Sequence, residues 1–204
     1  MSGIVGSYLN IRGSGLVGKV GTDGQVLTST GAGLTQGFEA APSGGITHAD
    51  LWRTNASEAL DSGTNIITDN WEQCDTAGFG LGELTAAVTE SSGVFSFVTT
   101  GVYRITFRAA FGAETADVRD VALRCQTTLN NGTDWTQQTD SRTHTESHGN
   151  WTKNQAYTCF YFDVTETTNS KVRFTIECTE ASIYLSSRAD DTQTCADFIR
   201  LAGT

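Results

Sequence analysis

The chain has 204 residues, a formal net charge of −10 and 22 glycines against a single proline. At ~100–200 residues per domain this length allows one domain with an extension but not two full domains, and the acidic surplus repels phosphate backbones and anionic lipid, which argues against nucleic acid and membrane surfaces as partners. No apolar run approaches the roughly 20 residues that span a bilayer, and the opening Met1-Ser2-Gly3-Ile4-Val5-Gly6 has neither the basic stretch nor the continuous apolar core of a signal peptide, so folding in cytoplasm is expected.

Residues 1–45 hold twelve of the glycines and carry no net charge, with Arg12 and Lys19 balancing Asp23 and Glu39. Gly3-Ile4-Val5-Gly6 returns twelve residues later as Gly15-Leu16-Val17-Gly18. So glycine-rich a segment, with scattered single aliphatics, cannot bury enough apolar area to offset its ordering entropy alone. It therefore reads as an arm that needs a partner surface, with short β-like pieces at Tyr8–Ile11 and Gln25–Thr28 available to another chain's sheet edge. The composition changes near Pro42 and Gly44-Gly45, which divides the chain into an arm over residues 1–45 and a domain over residues 46–204.

From Ile46 onward the period of the pattern is two. A helical turn is expected only at Ala56–Leu60, with Asn55 as its cap. Val94–Phe97, a break at Thr99-Thr100-Gly101, and Val102–Phe111 follow; in the last run Tyr103, Ile105, Phe107, Ala109 and Phe111 alternate with Arg104, Thr106, Arg108 and Ala110, which is a strand with one buried face. Val121, Leu123 and Cys125 make another alternating set, and Asn131-Gly132 marks a hairpin tip, since that pair adopts the positive φ angles of a type I′ turn. Ala156–Val164 is apolar on both sides, with Phe160 and Phe162 opposite Tyr157, Cys159 and Tyr161, and reads as a central strand covered on both faces. Val172–Cys178, Ile183–Leu185 and Ala196–Leu201 supply the closing strands. Their number and spacing predict an all-β, antiparallel sandwich or barrel, of which the sandwich is the expectation.

Two resemblances sharpen this reading. Val94-Phe95-Ser96-Phe97 with Thr100-Gly101-Val102-Tyr103, and the closing Ala196-Asp197-Phe198-Ile199-Arg200-Leu201, resemble the signature strands of the jelly-roll heads in tumour-necrosis-factor-like and complement proteins, over roughly residues 46–204, although no collagen-like stalk precedes them. Gly13-Ser14-Gly15-Leu16-Val17-Gly18, Gly21-Thr22-Asp23-Gly24-Gln25-Val26-Leu27 and Thr30-Gly31-Ala32-Gly33 resemble N-terminal segments of bacteriophage tail-fibre and other virion surface proteins. The first resemblance implies a jelly-roll sandwich, the second an attachment arm, and both imply a homotrimer.

Chemistry finds little purchase. His144 and His148 lie in a polar stretch read as an exposed loop, and an extended chain would hold them ~13 Å apart at about 3.3 Å per residue, too far to share a metal. No Gly-x-Ser-x-Gly elbow is present. Glu39, Asp50, Glu58, Asp61 and Asp69 lie scattered in polar segments and read as solvated, and Asp190-Asp191 as a hairpin tip with too few ligands for calcium. Cys74, Cys125, Cys159, Cys178 and Cys195 show no CxxC pair and read as free thiols filling core space. Trp52, Trp71, Trp135 and Trp151 stand among polar residues, and Trp135 and Trp151 are candidate contacts for a host receptor or surface glycan. The resulting expectation is a non-enzymatic structural protein of a bacteriophage virion, without metal or cofactor. Ile4, Val5, Leu9, Ile11, Leu16 and Val17 dock it on capsid or tail proteins, and a trimeric jelly-roll knob projects as a head decoration, head fibre or short tail fibre. The alternative is a host-receptor or carbohydrate-binding adhesin module.

Overall fold

The computed structural model describes residues 9–10, 16–17, 25–28, 37–40, 46–75, 85–113, 117–146, 152–181 and 183–203. The chain divides into two compact units, Met1–Gly45 and Ile46–Thr204. In the first, β1 (Leu9–Asn10) pairs antiparallel with β2 (Leu16–Val17), Leu9 opposite Val17. Then β3 (Gln25–Thr28) pairs with β4 (Gly37–Ala40), Val26 opposite Glu39 and Leu27 opposite Phe38. The segments expected to seek another chain's sheet edge thus find local partners first.

In the second unit the strands are β5 (Ala49–Thr54), β6 (Glu58–Leu60), β7 (Gly63–Ile66), β8 (Trp71–Gln73), β9 (Val88–Ser91) and β10 (Val94–Phe97). They are followed by β11 (Gly101–Ala113), β12 (Val118–Thr128), β13 (Thr136–Gln137), β14 (Ser141–Thr145), β15 (Thr152–Val164), β16 (Lys171–Cys178), β17 (Ile183–Ser186) and β18 (Cys195–Ala202). Among the described residues they form two seven-stranded sheets. One runs β13-β12-β16-β10-β9 with β14 beside β12 and β7 beside β16; the other runs β6-β17-β11-β18-β5-β8 with β15 beside β11. Every pairing is antiparallel. The fold is an all-β antiparallel jelly-roll sandwich.

The period-two pattern decides which side of each strand is dry. On β11, Tyr103, Ile105, Phe107, Ala109 and Phe111 are fully buried. They meet Phe95 and Phe174 from the facing sheet and Phe198 from the neighbouring β18, with Phe107 stacked on Phe174 at 4.5 Å and Phe95 tilted against Phe198 at 5.0 Å between ring centroids. Each such ring contributes about 1.5–3 kcal/mol through burial. The turn into β11 explains the Gly-x-Tyr spacing: Gly101 has φ +146°, and a Cβ there would strike the Ala202 carbonyl oxygen and come within 2.6 Å of Arg200 Nε. Two residues on, the buried Tyr103 hydroxyl donates to the Thr99 carbonyl at 2.9 Å and locks the same turn. The Asn131-Gly132 tip has the expected positive φ angles, 57° and 88°.

Four expectations are corrected. Residues 58–60 form β6 rather than a helical turn, because they pair with β17. Ser141–Thr145 is a strand, β14, rather than part of a loop, held by β12. Trp52 and Trp71 belong to the core: Trp71 packs edge-on against Phe95 at 5.1 Å and donates its Nε1–H to the Ile67 carbonyl, and Trp52 meets Phe95 at 5.6 Å. And β15 is an edge strand, whose backbone ladder along its whole length pairs with β11. Phe160 and Phe162 face inward against the core, but Tyr157 and Tyr161 stand 58% and 67% exposed on the other side.

Candidate assembly interface

The outward side of the β15-containing sheet is built in register. Tyr161, Arg104 and Ile199 form one row, Cys159, Thr106, Asp197 and Leu51 the next, and Tyr157, Arg108, Cys195 and Arg53 the third, with Glu72 opposite Arg53 at the sheet's far side. Each of these side chains lies one position along its strand from a core residue, so the packing that buries Phe107 and Phe198 fixes the face as well. A hollow of about 210 Å³ opens between Leu51, Thr106, Arg108, Tyr157, Cys195 and Asp197.

The polar groups of this face are only partly matched. Arg104 Nη2 lies 3.6 Å from Asp197 Oδ1. Yet Asp197 Oδ2, Arg104 Nε and Arg108 Nε are buried and have no hydrogen-bond partner. An unmet buried polar group costs about 1–3 kcal/mol, so the face holds three such deficits beside two exposed tyrosines. The outward side of the other sheet carries a denser set of ion pairs. There Arg124 pairs with Asp140 and Glu177, and Arg142 with Asp120 and Asp140. Arg173 donates to Gln126 Oε1 at 2.7 Å and lies under the Trp135 ring at 4.2 Å from its centroid. That surface is a ladder of ion pairs, although Arg124 Nε and the Thr175 hydroxyl are buried there without a hydrogen-bond partner.

The residues singled out from sequence fall out unevenly. Leu9 lies on β1 and Leu16 and Val17 on β2, while Ile4, Val5 and Ile11 lie outside the described residues. Trp135 closes the β12–β13 hairpin over Arg173, which occupies a face of its ring, and Trp151 and His148 lie outside the described residues. Among the described residues no group of three or more His, Cys, Asp or Glu is close enough to hold a metal ion. The loop holding Asp190 and Asp191 turns its Arg188 and Asp191 carbonyls onto Arg53 Nη1, at 3.4 and 3.2 Å. All five cysteines are free; burial pushes the thiols of Cys125 and Cys178 up to about 12, while Cys159 and Cys195 are half-buried on the outward face.

Sequence reading missed Asp50 and the tyrosine face. Asp50 is 3% exposed rather than solvated, and its carboxylate accepts from Gln73 Nε2 at 2.9 Å and from the Ala87 and Val88 amides at 2.6 and 2.9 Å. Its acidic, loop-like neighbourhood gave no sign of this. The face did leave a signal, the aromatic doubling of β15, which was read as burial within one chain.

No protein-family model matches the sequence, and no curated protein matches it. Solved structures do. The Eiger TNF of S. frugiperda aligns with a TM-score of 0.54 at 10% identity, covering 78% of this chain and 95% of that one. Murine APRIL at pH 8.5 aligns with a TM-score of 0.52 at 12% identity, covering 76% and 98%. These likenesses are of fold, and they agree with the jelly-roll signature at Phe95, Phe97, Gly101 and Tyr103.

Proposed function

We propose that the chain is a non-enzymatic assembly module of a bacteriophage virion. In this reading three copies associate through the outward face of β15, β11, β18 and β5, and residues 1–45 of each, through Ile4, Val5, Leu9, Ile11, Leu16 and Val17, dock the trimer on capsid or tail proteins. The observation that carries it is the pairing of exposed Tyr157 and Tyr161 with the partnerless buried atoms of Arg104, Arg108 and Asp197 on one sheet face. A second unpartnered surface lies around the corner of β15, where exposed Leu129 and half-buried Phe162 line a cleft of about 390 Å³. Two different surfaces on one chain favour a heterologous contact, which closes into a ring when the rotation allows. The fold likeness to Eiger TNF agrees with a compact head of this kind. The virion assignment rests on the arm, whose glycine content leaves it dependent on a larger partner; three arms would multiply a modest single-arm affinity by ~10²–10⁴.

Sedimentation equilibrium on the full chain tests the assembly. The expected mass is three times the 21.8 kDa of one chain, falling to that of one chain for Tyr161→Arg with unchanged circular dichroism. A monomeric parent, or a Tyr161→Arg protein of unchanged mass, overturns the interface. Deletion of residues 1–40 is expected to abolish binding to particles; retained binding overturns the docking role of the arm.

A further inference from the structure

Farther along the same sheet face, one row beyond Tyr157 and Arg108, lies a trough. Its volume is about 540 Å³, and Ala110, Lys153, Asn154, Gln155 and Gln193 line it. The hollow arises from register: Ala110 on β11 stands between Gln155 of β15 and Ser186 of β17, so a methyl group forms the floor between two taller walls. With strands ~4.8 Å apart the walls stand ~10 Å from each other.

The walls are polar and held in place. Gln193 accepts from the Ser186 hydroxyl through Oε1 at 2.8 Å and donates through Nε2 to Asp191 Oδ2 at 2.9 Å, which fixes its plane and leaves one N–H and one lone pair unused. Asn154 Nδ2 donates to Thr143 Oγ1 at 2.9 Å, and its Oδ1 accepts from the Gln155 amide at 2.8 Å. Lys153 makes no ion pair among the described residues, in a chain with 23 acids and 13 Lys and Arg. Beyond Lys153 and Asn154 the trough continues into a hollow of about 230 Å³ that His144, Thr145 and Glu146 also line. There Thr145, 3% exposed, has a buried hydroxyl with no hydrogen-bond partner.

We propose that this trough binds an acidic sugar residue, of the uronate class, at the end of a glycan. The apolar floor at Ala110 takes one face of the ring. The carboxamides of Gln155 and Gln193, each a donor and an acceptor in one plane, bridge neighbouring hydroxyls. Lys153 takes the carboxylate, and the Thr145 hydroxyl receives a substituent reaching past Asn154. Among the described residues no carboxylate lines the main trough itself; Asp191 stands behind Gln193, which it holds at 2.9 Å, and Glu146 borders the second hollow. The site's contacts do not include Tyr161.

Saturation-transfer NMR on the full chain, with glucuronate, glucose and acetate as the probes, tests this. Transfer to glucuronate is expected, with an affinity at least about tenfold above that for glucose or acetate, since a charge-assisted contact and the ring contacts act together. Lys153→Met, at an exposed position, is expected to lower that affinity by about tenfold and Gln155→Ala by a smaller factor, both without change in sedimenting mass. Absence of transfer to glucuronate, equal binding of acetate, or an unchanged affinity in Lys153→Met each overturns the proposal, and none of these outcomes bears on trimer formation.

Discussion

Asp50 joins the two sheets through one carboxylate. It sits on β5 and takes the amides of Ala87 and Val88, where β9 of the facing sheet begins, together with Gln73 of β8. Removing it leaves two buried N–H groups without an acceptor, at about 1–3 kcal/mol each. Asp50→Ala is therefore expected to lower the unfolding free energy by about 3–5 kcal/mol, the range for breaking a buried charged contact, while Asp50→Asn, which keeps one acceptor oxygen, loses less; urea unfolding checks both. Glu58 works in the opposite sense. Burial, and then the charge of Asp69, raise its pKa above the ordinary 4.5. The folded chain thus binds that proton more tightly than the unfolded chain, so the stabilisation is present below pH 4.5 and is lost as pH rises through the raised value. Glu58→Gln, which mimics the protonated form, is expected to raise the melting temperature at pH 7 and leave it unchanged at pH 4. A thermal melt at both pH values that showed equal gains would contradict this origin.

At the scale of the element, legibility followed period. The central strands β10, β11, β12, β16 and β18 announced themselves because one face of each is dry, and burial of alternate residues is what a single chain can express in its own sequence. The Gly101 turn was readable as a motif, its cause only from the collision a Cβ would make with Ala202 and Arg200. Segments β6 and β14 were not legible, since neither has a strong period and each exists through the partner it pairs with, β17 and β12. The misplacement of β15 is the instructive one. Its aromatic residues on both sides match a strand covered on both sides, yet within one chain its outward side is open. The proposed second copy on that side would reconcile pattern and structure. Cys159, between Tyr157 and Tyr161, reports on it: maleimide labelling is expected to be slow in the parent and faster in the Tyr161→Arg monomer. Cys125 and Cys178, fully buried with thiols pushed up to about 12, stay unlabelled in both. Equal labelling of Cys159 in the two proteins would place it outside the interface.

For the whole molecule the governing quantity is the charge of −10. Three such chains repel one another, and the repulsion is smallest if they meet through a region that carries none of the acidic surplus. The proposed face qualifies: Arg53, Arg104, Arg108 and Lys153 stand against Glu72, Asp163 and Asp197, so its own balance is slightly positive. The arm is likewise neutral and adds nothing to the repulsion. Because the attraction at the face comes mainly from tyrosine burial and from completing hydrogen bonds, while the opposing force is long-range repulsion between acidic surfaces, added salt should screen the second more than the first. The Debye length falls from about 30 Å at 0.01 M to about 8 Å at 0.15 M. The trimer is therefore expected to tighten, not loosen, as salt rises over that interval, a shift that sedimentation equilibrium at the two ionic strengths resolves. A trimer that instead dissociates with added salt would show that ion pairs between copies, rather than the tyrosine face, hold it together.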